Sequence, residues 1–306
     1  MSPSRGPVRS GAASPLRLLT LCVLLAASTL LRAEDCGVVL VSLYTAGDVA
    51  KLDGCDGRWL GTLDDDGQLA GAQAIRRGPD GHLYVVSEEN HRILRFDGET
   101  LAFLDVWLDD VRLGKPTGLA FAGDGSAYIG SYDGDRVLRY ADGALTEFVA
   151  GPPIDGIDAG LHVDADGQLW IPSFDGHNVL VVDLATGAER RRLEGTAERP
   201  LQSPRMILPA IEGEALLIGA WASNVVYRLD TEASDPERLF ERPRPSGLAW
   251  LPDGRLLSIS DTGGDVYALD PDVGAASAVV FASDERLTAM TFVLHWPTPG
   301  SARAAR

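Results

Sequence analysis

The stretch Pro116–Tyr140, PTGLAFAGDGSAYIGSYDGDRVLRY, decides the fold. It reads as an apolar strand, an Asp-Gly turn, an alternating strand, a polar turn and a second alternating strand. Asp-Gly between two alternating runs is hairpin chemistry, because glycine accepts the positive φ that a tight turn demands. The unit recurs. With the glycine after the first strand as marker, copies fall at Gly37, Gly81, Gly125, Gly167, Gly213 and Gly254, in steps of 44, 44, 42, 46 and 41 residues. A period of about 40–45 residues is the length of four short strands with their turns, one blade of a β-propeller. Six copies predict an all-β, six-bladed propeller over residues 34–296.

Each later copy is preceded by an inner strand: AQAI at 72–75, TGLAF at 117–121, AGLHV at 159–163, PRMIL at 204–208 and SGLAW at 246–250. The first copy has none. The missing strand appears at the other end of the chain, as TAMTFV at 288–293. The C-terminal strand is therefore expected to complete the first blade, joining the ring and removing two exposed sheet edges.

Residues 1–33 read as a secretory signal peptide, with Arg5, Arg9 and Arg17 before the mostly apolar run Leu18–Leu31. That run is short for a membrane span. Cys22 within it follows Leu21, where a lipidation signal wants a small residue. The expected location is periplasmic or secreted. Two cysteines remain, Cys36 and Cys55. A hairpin centred on the turn Thr45–Asp48 brings them face to face on neighbouring strands, so a disulfide is expected in an oxidising compartment. The tail 297–306, PTPGSARAAR, is expected to be disordered.

The net charge is −17, and removing the four arginines of residues 1–33 takes it to about −21. No basic cluster stands out. Nucleic acid and anionic membranes are disfavoured as partners.

The phrase LYVVSEENHRILRFD at 83–97 resembles the NHL-type propeller repeat, and the resemblance extends over all six copies. The wider group of similar propellers includes gluconolactonase-like hydrolases, streptogramin-type lyases, peptide-amidating lyases and many binding proteins. The resemblance implies a central channel and a functional face built from loops, while fold alone does not choose a chemistry. The lactonase-like members place oxygen ligands for a divalent metal at the starts of the inner strands. Phased on Thr117, those places here read Gln73, Ala159, Arg205, Ser246 and Thr288, with Asp158 one residue away. That ring has no carboxylate. The amidating lyases hold zinc through histidines at such places, and none of His82, His91, His162, His177 or His295 is in phase. His91 and His177 read as turn residues in solvent, and His162 as packing between blades. The streptogramin-type phrase of aromatic, Thr and Glu is matched here only by Glu88. No cofactor is predicted, with calcium and zinc left open.

One positive pattern remains. The residue after the recurrent serine is Glu88, Tyr132, Phe174 or Asp261, and Trp221 takes that place in the fifth copy. Three consecutive blades thus offer Tyr132, Phe174 and Trp221 as an aromatic arc, with acids opposite. Arg205 stands alone among small residues, available to a carboxylate or phosphate. The alternative is that the aromatics pack between blades and Arg205 pairs an internal acid. The leading expectation is an exported binding or scaffolding propeller for a protein or small ligand on its face. The second is a lactonase- or lyase-like enzyme in the channel, with Arg205 gripping an anion and Glu88, Asp158 or Asp261 supplying a base.

Overall fold

The computed structural model describes residues 36–298 other than 212, 213, 232 and 234. The expected leader, residues 299–306 of the tail and the marker Gly213 lie outside the described residues. Among the described residues, 24 strands form six four-stranded antiparallel sheets, one per repeat, arranged as a six-bladed propeller.

Burial grades outward across each blade, which explains the sequence pattern. The second strands are covered on both faces by neighbouring blades: Leu83–Ser87, Ala127–Ser131 and Leu256–Ser260 are buried at every position. They read as nearly continuous apolar runs for that reason. The third strands are covered less completely, as in Arg92–Phe96, where Ile93, Leu94 and Phe96 are buried and Arg92 and Arg95 are not. Outer strands such as Phe103–Asp109 are mostly half-exposed.

The first blade is assembled from both ends of the chain. Its inner strand is Met290–Trp296, paired antiparallel with Val38–Leu43 in a register running from Val38 opposite Trp296 to Ser42 opposite Phe292. The register then shifts, and Leu43 lies opposite Met290. Thr291 is the extra residue of that bulge. The fourth inner strand is shorter than the sequence suggested. Only His162–Val163 is regular, preceded by an isolated bridge from Ile157 to Ser173.

Cys36 and Cys55 form the expected disulfide, with their Cα atoms 5.1 Å apart. The bond ties the start of the first blade's second strand to the turn beyond its third. His295 fixes the same corner, its Nε2 lying 2.7 Å from the Cys36 carbonyl oxygen. Closing a loop with a sequence separation of 19 residues stabilises the fold by about 3 kcal/mol in the chain-entropy model. Reduction should lower the unfolding free energy by about that amount, measured by guanidinium titration with and without dithiothreitol. An unchanged midpoint would contradict the role given to this bond.

Candidate functional site

The starts of the six inner strands converge on one mouth of the channel, and a repeated backbone device shapes them. The residues leading into the strands are Gly71, Lys115, Gly156, Ser203, Arg244 and Ala289, all with φ between 43° and 69°. This left-handed turn strains every residue except glycine, so something must hold it. The preceding blade does so in four cases. His91 Nδ1 accepts the Lys115 N–H at 3.1 Å, and Asp135 Oδ1 accepts that of Gly156 at 2.8 Å. His177 Nδ1 accepts the Ser203 N–H at 3.1 Å, and Asn224 Oδ1 that of Arg244 at 2.9 Å. His91 and His177 do lie in turns, His177 exposed and His91 partly so, and they also link blade to blade.

Two residues beyond each turn stands the bulge position: Gln73, Thr117, Asp158, Arg205, Ser246 and Thr291, all buried. This ring corrects the sequence phasing at two places. Ile157 pairs with Ser173 as Pro116 pairs with Ser131, so Asp158, not Ala159, is the counterpart of Thr117. Thr291, not the exposed Thr288, fills the first blade's place. The ring thus does contain a carboxylate.

Its members do two different jobs. The small hydroxyls stitch blade to blade: Thr117 Oγ1 donates to the Ile157 carbonyl at 2.6 Å, Ser246 Oγ to Met290 at 2.7 Å and Thr291 Oγ1 to Ala72 at 2.7 Å. Gln73, Asp158 and Arg205 carry longer side chains, and these line the channel mouth.

A second ring lies just outside. Glu88, Tyr132, Phe174 and Trp221 donate their backbone N–H groups to the carbonyls of Gly71, Lys115, Gly156 and Ser203. Asp261 holds the corresponding place in the sixth blade. Tyr44 completes this ring, its N–H donating to Ala289. Sequence reading missed Tyr44 because Leu43 replaces the recurrent serine there. That serine is itself structural: Ser87, Ser131 and Ser173 are wholly buried and bond the loop carbonyls of Ala70, Gly114 and Pro153.

Together the rings enclose a pocket of about 350 Å³, within the range of small-molecule sites. Its two sides differ. On one, the Arg205 Nε lies 3.3 Å from Asp158 Oδ2, with both side chains less than a tenth exposed. Arg205 also reaches Asp261 at 3.5 Å. Asp261 in turn accepts the Trp221 indole N–H at 2.8 Å and lies 3.3 Å from Arg244 Nε. The Arg244 guanidinium stacks 3.9 Å from the Trp221 ring centre, and Phe174 packs against Trp221 at 5.5 Å. Of the aromatic arc, Phe174 and Trp221 therefore touch, while Tyr132 turns its hydroxyl to Asp175 at 2.6 Å. Arg205 is clamped by two carboxylates, so it is a wall of the pocket more than a free anion hook.

On the other side, Gln73 Nε2 donates to Glu88 Oε2 at 2.5 Å. The Tyr44 hydroxyl reaches Glu88 at 3.3 Å and also bonds Glu89. The Gln73 Oε1 atom is buried without a hydrogen-bond partner. Burial pushes the Glu88 carboxyl up to about 6, and the charge of Asp158 adds to the shift, against the pull of the Gln73 bond. Burial also raises Asp158, although Arg205 opposes it. Tyr44 and Tyr132 are raised by burial and by the carboxylates their hydroxyls touch. Among the described residues, no three His, Cys, Asp or Glu side chains stand close enough together to hold a metal ion. The pocket walls include no histidine; His162 lies farther along the channel.

The raised carboxyl of Glu88 has a defined effect on stability. The fold favours its protonated form, so the contribution is full below about pH 4.5 and is lost as pH rises through about 6. The difference is about 2 kcal/mol. Glu88→Gln should raise the unfolding free energy at pH 8 by about that amount and change it little at pH 4. A mutant–parent difference that stays constant across that range would contradict the assignment.

No family model and no curated protein sequence matches the chain. Solved structures do. A chain of a nidogen–laminin complex superposes with a TM-score of 0.69 at 12% identity, covering 85% of this chain and 98% of the other. A streptogramin B lyase gives 0.53 at 17% identity, over 70% and 69% of the two chains. A catalytically inactive histidine-to-alanine variant of virginiamycin B lyase from Staphylococcus aureus, with quinupristin, gives 0.58 at 14%, over 81% and 84%. At these identities the likeness is one of fold, and the chain is a six-bladed β-propeller of the architecture found in the nidogen–laminin complex and in streptogramin-type lyases.

Proposed function

We propose that the chain is an exported binding propeller that takes a small planar ligand with hydrogen-bonding groups into the pocket at the channel mouth. The observation that carries this is the convergence of two residue rings on one concave site of about 350 Å³. Phe174 offers an apolar wall, backed by the Arg244-stacked Trp221. Gln73, Glu88 and Tyr44 offer donors and acceptors in the same walls. Apolar walls with a few placed polar groups are the usual composition of such sites.

The charges favour a ligand of low net charge. The three cations of the walls, Arg205, Arg244 and Lys115, are matched by the three acids Asp158, Asp261 and Glu88. The virginiamycin B lyase neighbour is named as inactive once a histidine is replaced. The pocket walls here contain none, which favours binding over that lyase chemistry. Export rests on the leader pattern and on the disulfide, which suits an oxidising compartment. Among the described residues no helix is long and apolar enough to cross a membrane.

One observation favours an enzyme as the second reading. A buried carboxyl at about 6, as at Glu88, is poised to exchange a proton near neutral pH. Glu88 would then act as general acid or base on a bound lactone or a similar ester.

A thermal-shift screen of planar heteroaromatic compounds tests the binding reading. Hits should lose about ten-fold in affinity in Phe174→Ala and less in Trp221→Ala, which only backs Phe174, as measured by calorimetry, since an aromatic contact contributes about 0.5–1.5 kcal/mol beyond its buried area. Trp59→Ala, on an outer strand, should leave affinity unchanged. Equal binding by all three variants would contradict the site. Lactone turnover that is lost in Glu88→Gln while binding persists would move the assignment to the enzyme.

A further inference from the structure

The later residues of the inner strands enclose a second cavity of about 320 Å³, farther along the channel from the pocket above. Its walls are mainly aliphatic and aromatic, with Met206, Leu248, Phe292 and Leu294 among them. Arg76 is set into these walls. Its Nη2 donates to the carbonyls of Ala159 and Leu161 at 3.2 and 3.1 Å, and its Nη1 to that of Ile75 at 3.2 Å. Its guanidinium carbon stands 4.4 Å from the Phe292 ring centre.

Part of this is architectural. The fourth inner strand has only two regular residues, His162–Val163, so the carbonyls of Ala159 and Leu161 lack ladder partners and Arg76 supplies them. That accounts for some of its five donors and for none of its charge. Among the described residues no carboxylate forms an ion pair with Arg76, although other arginines in this acidic chain, such as Arg92, Arg95 and Arg205, do have one. Burial alone pulls its pKa down, to about 10, so it remains a cation at neutral pH. His162, in the same cavity wall, offers no compensation. Burial and Arg76 hold His162 at about 4, hence neutral. A half-buried charge without a counter-ion favours capture of an anion. An apolar cavity around it selects an anion that carries an apolar body.

We propose that this cavity binds an amphipathic monocarboxylate, with its head group on Arg76 and its tail against Met206, Leu248 and Phe292. The site is separate from the channel-mouth pocket, and neither proposal depends on the other. Arg76 suits the role by its charge, with one Nη1 hydrogen and the Nε hydrogen left over after the three backbone carbonyls.

Decanoate is the probe, and calorimetry on the full mature chain is the test, with decanol as the uncharged control of equal tail length. Decanoate should bind at one site per chain, at least ten-fold more tightly than decanol. Arg76→Met should bring decanoate down to the affinity of decanol. Arg76→Lys, which keeps the charge, should retain decanoate within about three-fold of the parent, on the ground that charge dominates head-group capture. Circular dichroism and melting curves establish that each variant is folded. Should Arg76→Met fail to fold, the decanoate–decanol ratio and the lysine variant still decide. No decanoate binding, equal binding of acid and alcohol, or full affinity in a folded Arg76→Met chain would each overturn the proposal.

Discussion

The structure depends on closing six sheets into a ring, and closure is enforced by hydrogen bonds from one blade's bulge residue to the next blade's backbone. Thr117, Ser246 and Thr291 each donate a hydroxyl to the carbonyl just ahead of the following bulge. The bulge is what makes this geometry available. It adds one residue to the inner strand, leaves that residue out of the ladder and turns its side chain toward the neighbouring blade or the channel. Met290–Trp296 extends the same pattern across the junction of the chain ends, so the first blade is as closed as the others. A propeller with an open junction would expose two strand edges.

Once three bulge positions have done the stitching, the remaining three are free for long polar side chains. Gln73, Asp158 and Arg205 occupy them, and the pocket's chemistry follows. Asp158 and Arg205 are buried and Asp261 is partly exposed, and the value of this ion-pair chain is positional more than energetic. Buried ion pairs often add little net stability, while removal of one partner strands the charge of the other. Here the chain sets the Trp221 indole through Asp261 and places Arg244 over the ring. Charge is thus consumed inside the pocket wall on one side. On the other, desolvation raises the Glu88 carboxyl to about 6.

The fold was legible in the sequence because its signals are local: Asp-Gly turns at a steady period, buried second strands and a lone C-terminal strand with no partner nearby. The Cys36–Cys55 bond was legible for the same reason, since a single hairpin sets its geometry. The candidate site was legible only in part. Glu88, Tyr132, Phe174, Trp221 and Asp261 do share one level, because each follows the second strand at a fixed place. Asp158 was assigned one residue out of phase because the fourth inner strand is mostly irregular and its bulge longer. Tyr44 was hidden by Leu43 in the serine position. The pairing of Arg205 with residues 47 and 56 positions away was beyond any local pattern. Arg76 carried no signal at all, since its isolation from carboxylates is a property of the folded channel.

The six tryptophans, Trp59, Trp107, Trp170, Trp221, Trp250 and Trp296, are spread over the propeller, so one spectrum can locate a ligand. The most direct measurement is fluorine NMR of the chain labelled with 5-fluorotryptophan, with signals assigned by single Trp→Phe substitutions and recorded with and without a planar hit from the thermal-shift screen. The account predicts a saturable shift of the Trp221 signal, with Trp59, Trp107 and Trp296 unmoved. A shift confined to those three tryptophans, with Trp221 unchanged at saturation, would contradict the claim that the channel mouth is the binding site.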